Sequence, residues 1–303
     1  MKAAASDEKS RRLAERVRRI QIGTRRLSSE AFHGGVQSRF RGRGMDFDEV
    51  REYEPGDDIR AIDWSATARA GHTFVKKYRE ERQLTVIFVV DLSASGALGS
   101  GDESKREQAV EIAGVLALGA VHSDHRIGLV AFTDEIEAFV PPARGRAHAF
   151  RLVNGLVALE PRGRGTDLAG ALRLVRDRVR RRAVVVILSD LLLGKEGVDK
   201  VRPELGYLAR KHDVLAIRIG DRLDRALPAV GLLTLEDAET GEVVEVDTGS
   251  AAQRARIEAV ASESDEKLRS LVKGAHVDLL DVDTLRPYLG PLIGFFRARG
   301  GRA

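Results

Sequence analysis

Cysteine is absent from all 303 residues, which excludes a disulfide framework, a thiolate zinc site, an iron–sulfur cluster and a cysteine nucleophile. Aromatic residues are few, with 10 Phe, 4 Tyr and a single Trp. Long apolar runs are lacking too. The longest, Leu84 to Val90 and Ile112 to Val121, fall well short of the roughly 18 residues needed to cross a bilayer. The first ten residues turn charged where a secretory signal would need its apolar stretch, so the sequence predicts a cytoplasmic protein. What is present, 43% hydrophobic residues with 50 basic and 46 acidic side chains, predicts a soluble globular chain. Its length suggests about two domains, or one large α/β unit with appendages.

The charge is unevenly spread. Residues 1 to 44 hold 12 Lys/Arg against 4 Asp/Glu, a local net of +8, while the remaining 259 residues carry −4. A basic arm can bind nucleic acid, an anionic membrane surface or an acidic partner. Here Ala14, Val17 and Ile20 interleave with the arginines as one helix face, and no stacking aromatics accompany the charge. The pattern therefore favours a solvated helix, packed along one stripe, over a nucleic-acid arm.

Alternation of short apolar strands with helical segments organises the rest. Strands are predicted at 84–90, 127–132, 135–140, 183–189, 214–219 and 277–281, and helices at 104–121, 147–159, 169–179, 198–211 and 250–273, with a last helix reaching Phe295-Phe296. Ser104 and Glu107 have capping-box spacing before the first of these helices. A hairpin is predicted at 232–246 around Glu239-Thr240-Gly241. Such alternation argues for a mostly parallel sheet covered on both faces, whose ligands gather at the strands' carboxyl ends. Upstream, residues 50 to 74 read as a β-rich extension with a type II turn at Glu54-Pro55-Gly56-Asp57.

The segment Asp91-Leu92-Ser93-Ala94-Ser95 directly follows the first predicted strand of the alternating region, Thr166 opens a later helix, and Asp190 closes a later strand. In an extended loop, alternate positions point the same way, so Asp91, Ser93 and Ser95 can aim three oxygens at one point. A parallel sheet would bring Asp190 to the same edge. Two carboxylates and three hydroxyls suit a hard divalent cation: Mg2+ by preference, with Mn2+ or Ca2+ also possible. Neutral hydroxyl ligands would leave a position open for a carboxylate from another protein. Each residue also has a plainer role: Thr166 as a helix N-cap, Asp190 as a strand end, the serines as loop formers.

The Asp-x-Ser-x-Ser pattern with a distant Thr and Asp resembles the metal-ion-dependent adhesion site of von Willebrand factor A-type domains, carried by Asp91, Ser93, Ser95, Thr166 and Asp190. A longer stretch, Gly42-x-Gly44-Met-Asp-Phe47-x-Glu49-x-Arg51-x-Tyr53-x-Pro55-Gly-Asp-Asp58-x-Arg60-x-Ile62-Asp-Trp64 followed by Ala68-Arg69, is similar to the bacterial domain-of-unknown-function family numbered fifty-eight. The hairpin region 231–247 and the ending Pro291-Leu-x-x-Phe-Phe-x-x-Arg299 also look like that family. The resemblance implies a three-layer, Rossmann-like von Willebrand A domain over 83–298 with a hairpin insertion at about 230–247. It also implies a β-rich extension at 35–82, leaving a basic helical arm at 1–34 and a tail at 299–303. It implies a non-enzymatic adaptor or co-chaperone of a MoxR-type AAA+ ATPase, acting on a client protein. Where the family commonly has Met after the second serine, this chain has Gly96-Ala97; where many A-type domains have Gly after the last Asp, it has Leu191.

Rival chemistries are poorly served. Gly99 to Lys105 sits where a phosphate loop would, but Ser104 replaces the required Gly and Arg106 the required Ser/Thr. Asp91 could serve as the nucleophile of a metal-dependent phosphohydrolase, but Ser93 stands where the acid/base carboxylate would be. His122 and His125 read as a polar turn. Arg51, Asp57, Asp58, Arg60 and Asp63 form an alternating-charge cluster. The resemblance makes it a candidate docking surface, while mutual pairing is the plainer reading. Trp64, the sole tryptophan, is expected to anchor the extension, with a partner hot spot as the alternative.

Overall fold

The computed structural model describes residues 17–21, 24, 46–55, 57–79 and 83–300, without the side chains of 46–49, 60 and 76–79. Most of the expected basic arm, Gly56 of the expected turn and the end of the tail lie outside the described residues. The chain forms two compact units, one of residues 40–83 and one of 1–39 with 84–303.

In the smaller unit, strand β1 (Asp46–Glu52) pairs antiparallel with β2 (Phe74–Arg79). Between them lies a helix absent from the sequence reading, α1 (Trp64–Ala70). The expected β-rich extension thus carries one short helix as well. Seven residues show too little periodicity to announce a helix, but its ends are signalled chemically. The Asp63 carboxylate accepts the N–H groups of Ser65 and Ala66 at 3.0 and 3.1 Å, and Gly71 closes the helix at φ +79°, a conformation glycine adopts without penalty.

The larger unit contains β3 (Thr85–Asp91), α2 (Lys105–His122), β4 (Arg126–Phe132), β5 (Ile136–Ala143), α3 (Arg146–Ala158), α4 (Leu168–Arg178) and β6 (Val184–Ser189). It continues with α5 (Lys195–Lys211), β7 (Asp213–Gly220), β8 (Leu232–Glu236), β9 (Val243–Asp247), α6 (Ala251–Gly274), β10 (Asp278–Asp283) and α7 (Leu289–Gly300). Six strands form one sheet in the order β10-β7-β6-β3-β4-β5. All neighbours pair parallel except β4 with β5. This is the mostly parallel, three-layer arrangement with helices on both faces that the alternation of strands and helices predicts. The central strands β3 and β6 are buried on both faces, which explains why they read as unbroken aliphatic runs with no alternation.

One sheet face, with Ile87, Val89, Val185, Ile187 and Val214, packs on α4, α5 and α6. The other lies under α2, which crosses β3, β4, β6 and β7. Helix α2 is buried almost all round, as a helix apolar on every side must be. Its outer side is closed by the fully buried Ile20. A Cβ on Gly114 would lie 2.7 Å from the Ile20 Cδ1, so this approach requires glycine. The helical residues 17–21 and 24 thus lie against α2, with Arg19 paired to Glu103 and Glu111.

The chain leaves β3 toward β4 and β5 on one side, then returns to build β6, β7 and β10 on the other. The crevice at the carboxyl ends of β3 and β6 is therefore the topological switch point, where α/β sheets bind ligands. Among the described residues, no helix is long and apolar enough to cross a membrane.

Candidate metal centre

Asp91, the last residue of β3, is buried. Its Oδ1 accepts the Ser93 N–H at 2.9 Å and its Oδ2 accepts the Ser189 hydroxyl at 2.6 Å. Burial first, and then the charge of Asp190, raise its pKa to about 6, against those hydrogen bonds. Ser93 is also buried, and its Oγ lies 3.0 Å from that of Ser95. The Ala94 N–H reaches the Arg164 carbonyl at 2.8 Å, tying this loop to the segment that bears Thr166.

That segment is built by Glu137 of β5, whose Oε1 accepts the N–H groups of Arg162 and Gly163, each at 2.8 Å, and the Thr133 hydroxyl at 2.9 Å. Burial works against ionisation, but these donors outweigh it and hold the carboxyl below the ordinary glutamate range. Gly163 admits no side chain, because a Cβ would lie 2.2 Å from both Asp134 Oδ1 and Thr133 Oγ1. The Asp167 N–H bonds the Thr133 carbonyl at 2.8 Å, fixing the segment beside the end of β4. The Asp167 carboxylate, not Thr166, caps α4 by accepting the Gly170 N–H at 2.9 Å. The Thr166 hydroxyl, released from capping, donates to Glu239 Oε1 at 2.6 Å.

Asp190 follows β6 and is buried. Its Oδ1 accepts the Leu192 N–H at 3.2 Å, and its Oδ2 accepts the buried Lys105 ammonium at 2.9 Å. Lys105 also reaches Asp224 Oδ1 at 2.8 Å. Burial alone would lower the lysine pKa, but the two carboxylates raise it above its ordinary value. Leu191 adopts φ +53°, the left-handed region where glycine is at ease and a leucine is strained. At this departure the turn is one that a glycine would form without strain. At the other departure, a Cβ on Gly96 would lie 3.2 Å from the Arg106 Cβ, so the first turn of α2 packs closely there.

All five predicted oxygen-bearing residues thus stand on the carboxyl rim. Asp91 ends β3, Ser93 and Ser95 follow it, Thr166 is held beside the end of β4, and Asp190 follows β6. Their donors are hard oxygens. The two serine hydroxyls, 3.0 Å apart, are hydrogen-bonded to each other. Among the described residues, no group of three or more His, Cys, Asp or Glu side chains gathers tightly enough for a metal, so a cation here would depend on the hydroxyls. The set fits one. A cleft of about 500 Å³ opens beside Asp190 and runs past Asp224 and Arg218 to Glu258 and Asp265 of α6.

Lys105, Ser189 and Glu239 escaped the sequence reading as parts of this site. Lys105 was visible only as the lysine of a failed phosphate loop, and Glu239 only as a turn residue. In the smaller unit, the predicted docking cluster is partly self-paired. Arg51 Nη2 bonds Asp57 Oδ1 at 2.6 Å, and Asp57 Oδ2 accepts the Glu54 N–H at 2.9 Å. That backbone donor first, then the Arg51 side chain, hold Asp57 below the ordinary carboxylate range. Asp63 caps α1, Asp58 is exposed, and the Arg60 side chain lies outside the described set. Trp64, expected to anchor the extension or else to serve as a partner hot spot, is 71% exposed, as is Ile59.

The profile of the family described as "Protein of unknown function DUF58" matches residues 49–267. The chain belongs to this family. Its similarity to the uncharacterized protein Rv1480 of Mycobacterium tuberculosis is 32% identity over 290 residues, 95% of this chain and 90% of that protein. A shorter segment of 101 residues is 37% identical to the magnesium-chelatase 60 kDa subunit of Cereibacter sphaeroides, covering 33% of this chain and 16% of that subunit. Among solved structures, BatB of Bacteroides thetaiotaomicron is 14% identical with a TM-score of 0.49, covering 73% of this chain and 100% of that one. The SpRpn10 VWA domain is 10% identical with a TM-score of 0.38, covering 73% and 96%. For this DUF58 chain the strand order and the family's sequence pattern carry the fold assignment.

Proposed function

We propose that this DUF58 chain is a non-enzymatic, metal-assisted protein-binding module: an adaptor or co-chaperone that works with a MoxR-type AAA+ ATPase on a client protein in the cytoplasm. The observation that supports the reading is that Asp91, Ser93, Ser95, Thr166 and Asp190 all lie on the carboxyl rim of the sheet, which includes the switch point. These residues would hold Mg2+, or Mn2+ or Ca2+, and the cation would supply a point of attachment for a partner's carboxylate. The chain's own part is to keep the cluster in place. Ser189 and the Ser93 amide orient Asp91, Lys105 orients Asp190, and Glu137 shapes the loop that presents Thr166.

The same surroundings argue against hydrolysis. Ser93 stands where a phosphohydrolase would carry its second carboxylate, and a serine is no acid/base at neutral pH. The similarity to a magnesium-chelatase subunit supports a role within a larger assembly, where any ATP hydrolysis belongs to the partner.

Capture of the MoxR-type ATPase by immobilised chain should therefore need Mg2+. It should fall at least tenfold with chelator and in Asp91→Ala, while turnover of phosphate esters stays at background. Metal-dependent phosphatase turnover lost in Asp91→Ala would replace this reading with the phosphohydrolase one.

A further inference from the structure

The β8–β9 hairpin stands out because almost nothing covers it. Leu232, Val243 and Val244 are 66%, 58% and 49% exposed, and its ten strand residues are all exposed or half-buried. Ribbons of two strands gain little stability alone. This one is fastened at its two ends. At the base, Thr248 bonds the Val230 N–H at 3.1 Å and the Gly231 carbonyl at 2.7 Å, and Arg254 bonds the Thr248 carbonyl.

At the tip, the turn is shaped by Asp237, whose Oδ1 accepts the N–H groups of Glu239 and Thr240 at 2.8 and 2.9 Å. Gly241 supplies φ +75°. The tip is then held to the segment bearing Thr166 by two contacts. Arg164 donates through Nε and Nη2 to the Ala238 carbonyl at 3.2 and 2.9 Å. Thr166 donates its hydroxyl to Glu239 Oε1 at 2.6 Å.

The second contact is chemically specific. A threonine hydroxyl has one hydrogen and two lone pairs. Donating the hydrogen to a carboxylate fixes the rotor, leaves the lone pairs available and makes the oxygen a better ligand. This is how outer carboxylates support metal ligands in general.

We propose that Glu239 is a positioning residue of the metal centre, acting through Thr166. By the same contact, the hairpin is coupled to the site: cation uptake and docking of the tip favour each other, as thermodynamic linkage requires. This rests on the proposed metal-assisted function, since it assumes that Thr166 is a ligand.

The test is Mn2+ titration calorimetry on the full chain, with hydrogen exchange of the hairpin amides followed with and without Mn2+. Glu239→Ala is expected to weaken Mn2+ binding about tenfold, in the range found for lost outer carboxylates. Glu239→Gln, whose amide oxygen still accepts from Thr166, should recover most of it. Arg164→Ala serves as the structural control. It frees the tip from Ala238 and should speed exchange as much as Glu239→Ala does, with a smaller loss of Mn2+ affinity. Saturating Mn2+ should slow exchange at residues 237–241 in the wild type and not in Glu239→Ala.

If Mn2+ uptake is lost in Asp91→Ala but equals wild type in Glu239→Ala, the metal reading stands and the Glu239 proposal is overturned. Equal losses in Glu239→Ala, Glu239→Gln and Arg164→Ala would reduce the residue to a hairpin fastener and also overturn it. If the wild type takes up no Mn2+, the metal reading fails and the proposal falls with it.

Discussion

Lys105 is the residue on which the electrostatics of the rim turn. Its ammonium is 2% exposed and bonded to Asp190 and Asp224. Removing one member of a buried ion pair costs about 3–5 kcal/mol, because the remaining charge is stranded. Lys105→Met is therefore expected to lower unfolding stability by about that amount in denaturant titrations, whereas Lys105→Met combined with Asp224→Asn should recover part of it. His212 offers a pH test far from the rim. Its Nδ1 accepts the Ala183 N–H at 3.2 Å, which protonation of that nitrogen would prevent. Burial first, then Lys211 and Arg182, push its pKa down to about 4. Because this lies below the unfolded value of about 6.5, the stabilisation is complete above that pH and is lost as pH falls toward 4. The slope should approach 1.4 kcal/mol per unit. His212→Asn, which retains an acceptor, should flatten it in melts between pH 4 and 7.

Among the elements, the loop between α3 and α4 shows how a site residue is placed without belonging to a helix or strand. Glu137 gathers Arg162, Gly163 and Thr133, and Gly163 is required by Asp134 and Thr133. Gly163→Ala should therefore shift the loop and reduce divalent-ion uptake several-fold by calorimetry, with little change in far-ultraviolet circular dichroism. Nothing in the sequence marks Glu137 for this role, because its partners are backbone amides 25 and 26 residues away. By contrast the capping box of α2 was legible, since Ser104 and Glu107 satisfy each other locally. The central strands were legible as aliphatic runs. Helix α1 was missed because seven residues carry no clear period, although Asp63 and Gly71 mark its ends.

On the scale of the whole molecule, the described residues of the basic segment, 17–21 and 24, have a packing role. Ile20 is fully buried against Gly114, and Thr24 Oγ1 reaches the Val115 carbonyl at 3.4 Å. Ile20→Ala should thus cost about 2–4 kcal/mol in denaturant unfolding, as a truncation within the core does. A purely solvated arm would lose almost nothing. The local net charge of +8 therefore coexists with a structural task, and Arg19 spends its charge on Glu103 and Glu111.

In the larger unit the order of strands and helices, the oxygen-rich loop after β3 and the resemblance to a family were all legible in the amino-acid sequence alone. They rest on local periodicity, turn chemistry and motif spacing, which act over a few residues. Only the tertiary structure decided that Lys105 neutralises Asp190, that Glu239 faces Thr166 across 73 residues of chain, and that Trp64 stands exposed. Those outcomes depend on which distant surfaces the folded sheet brings together, and no short-range pattern encodes a contact whose two halves are far apart along the chain.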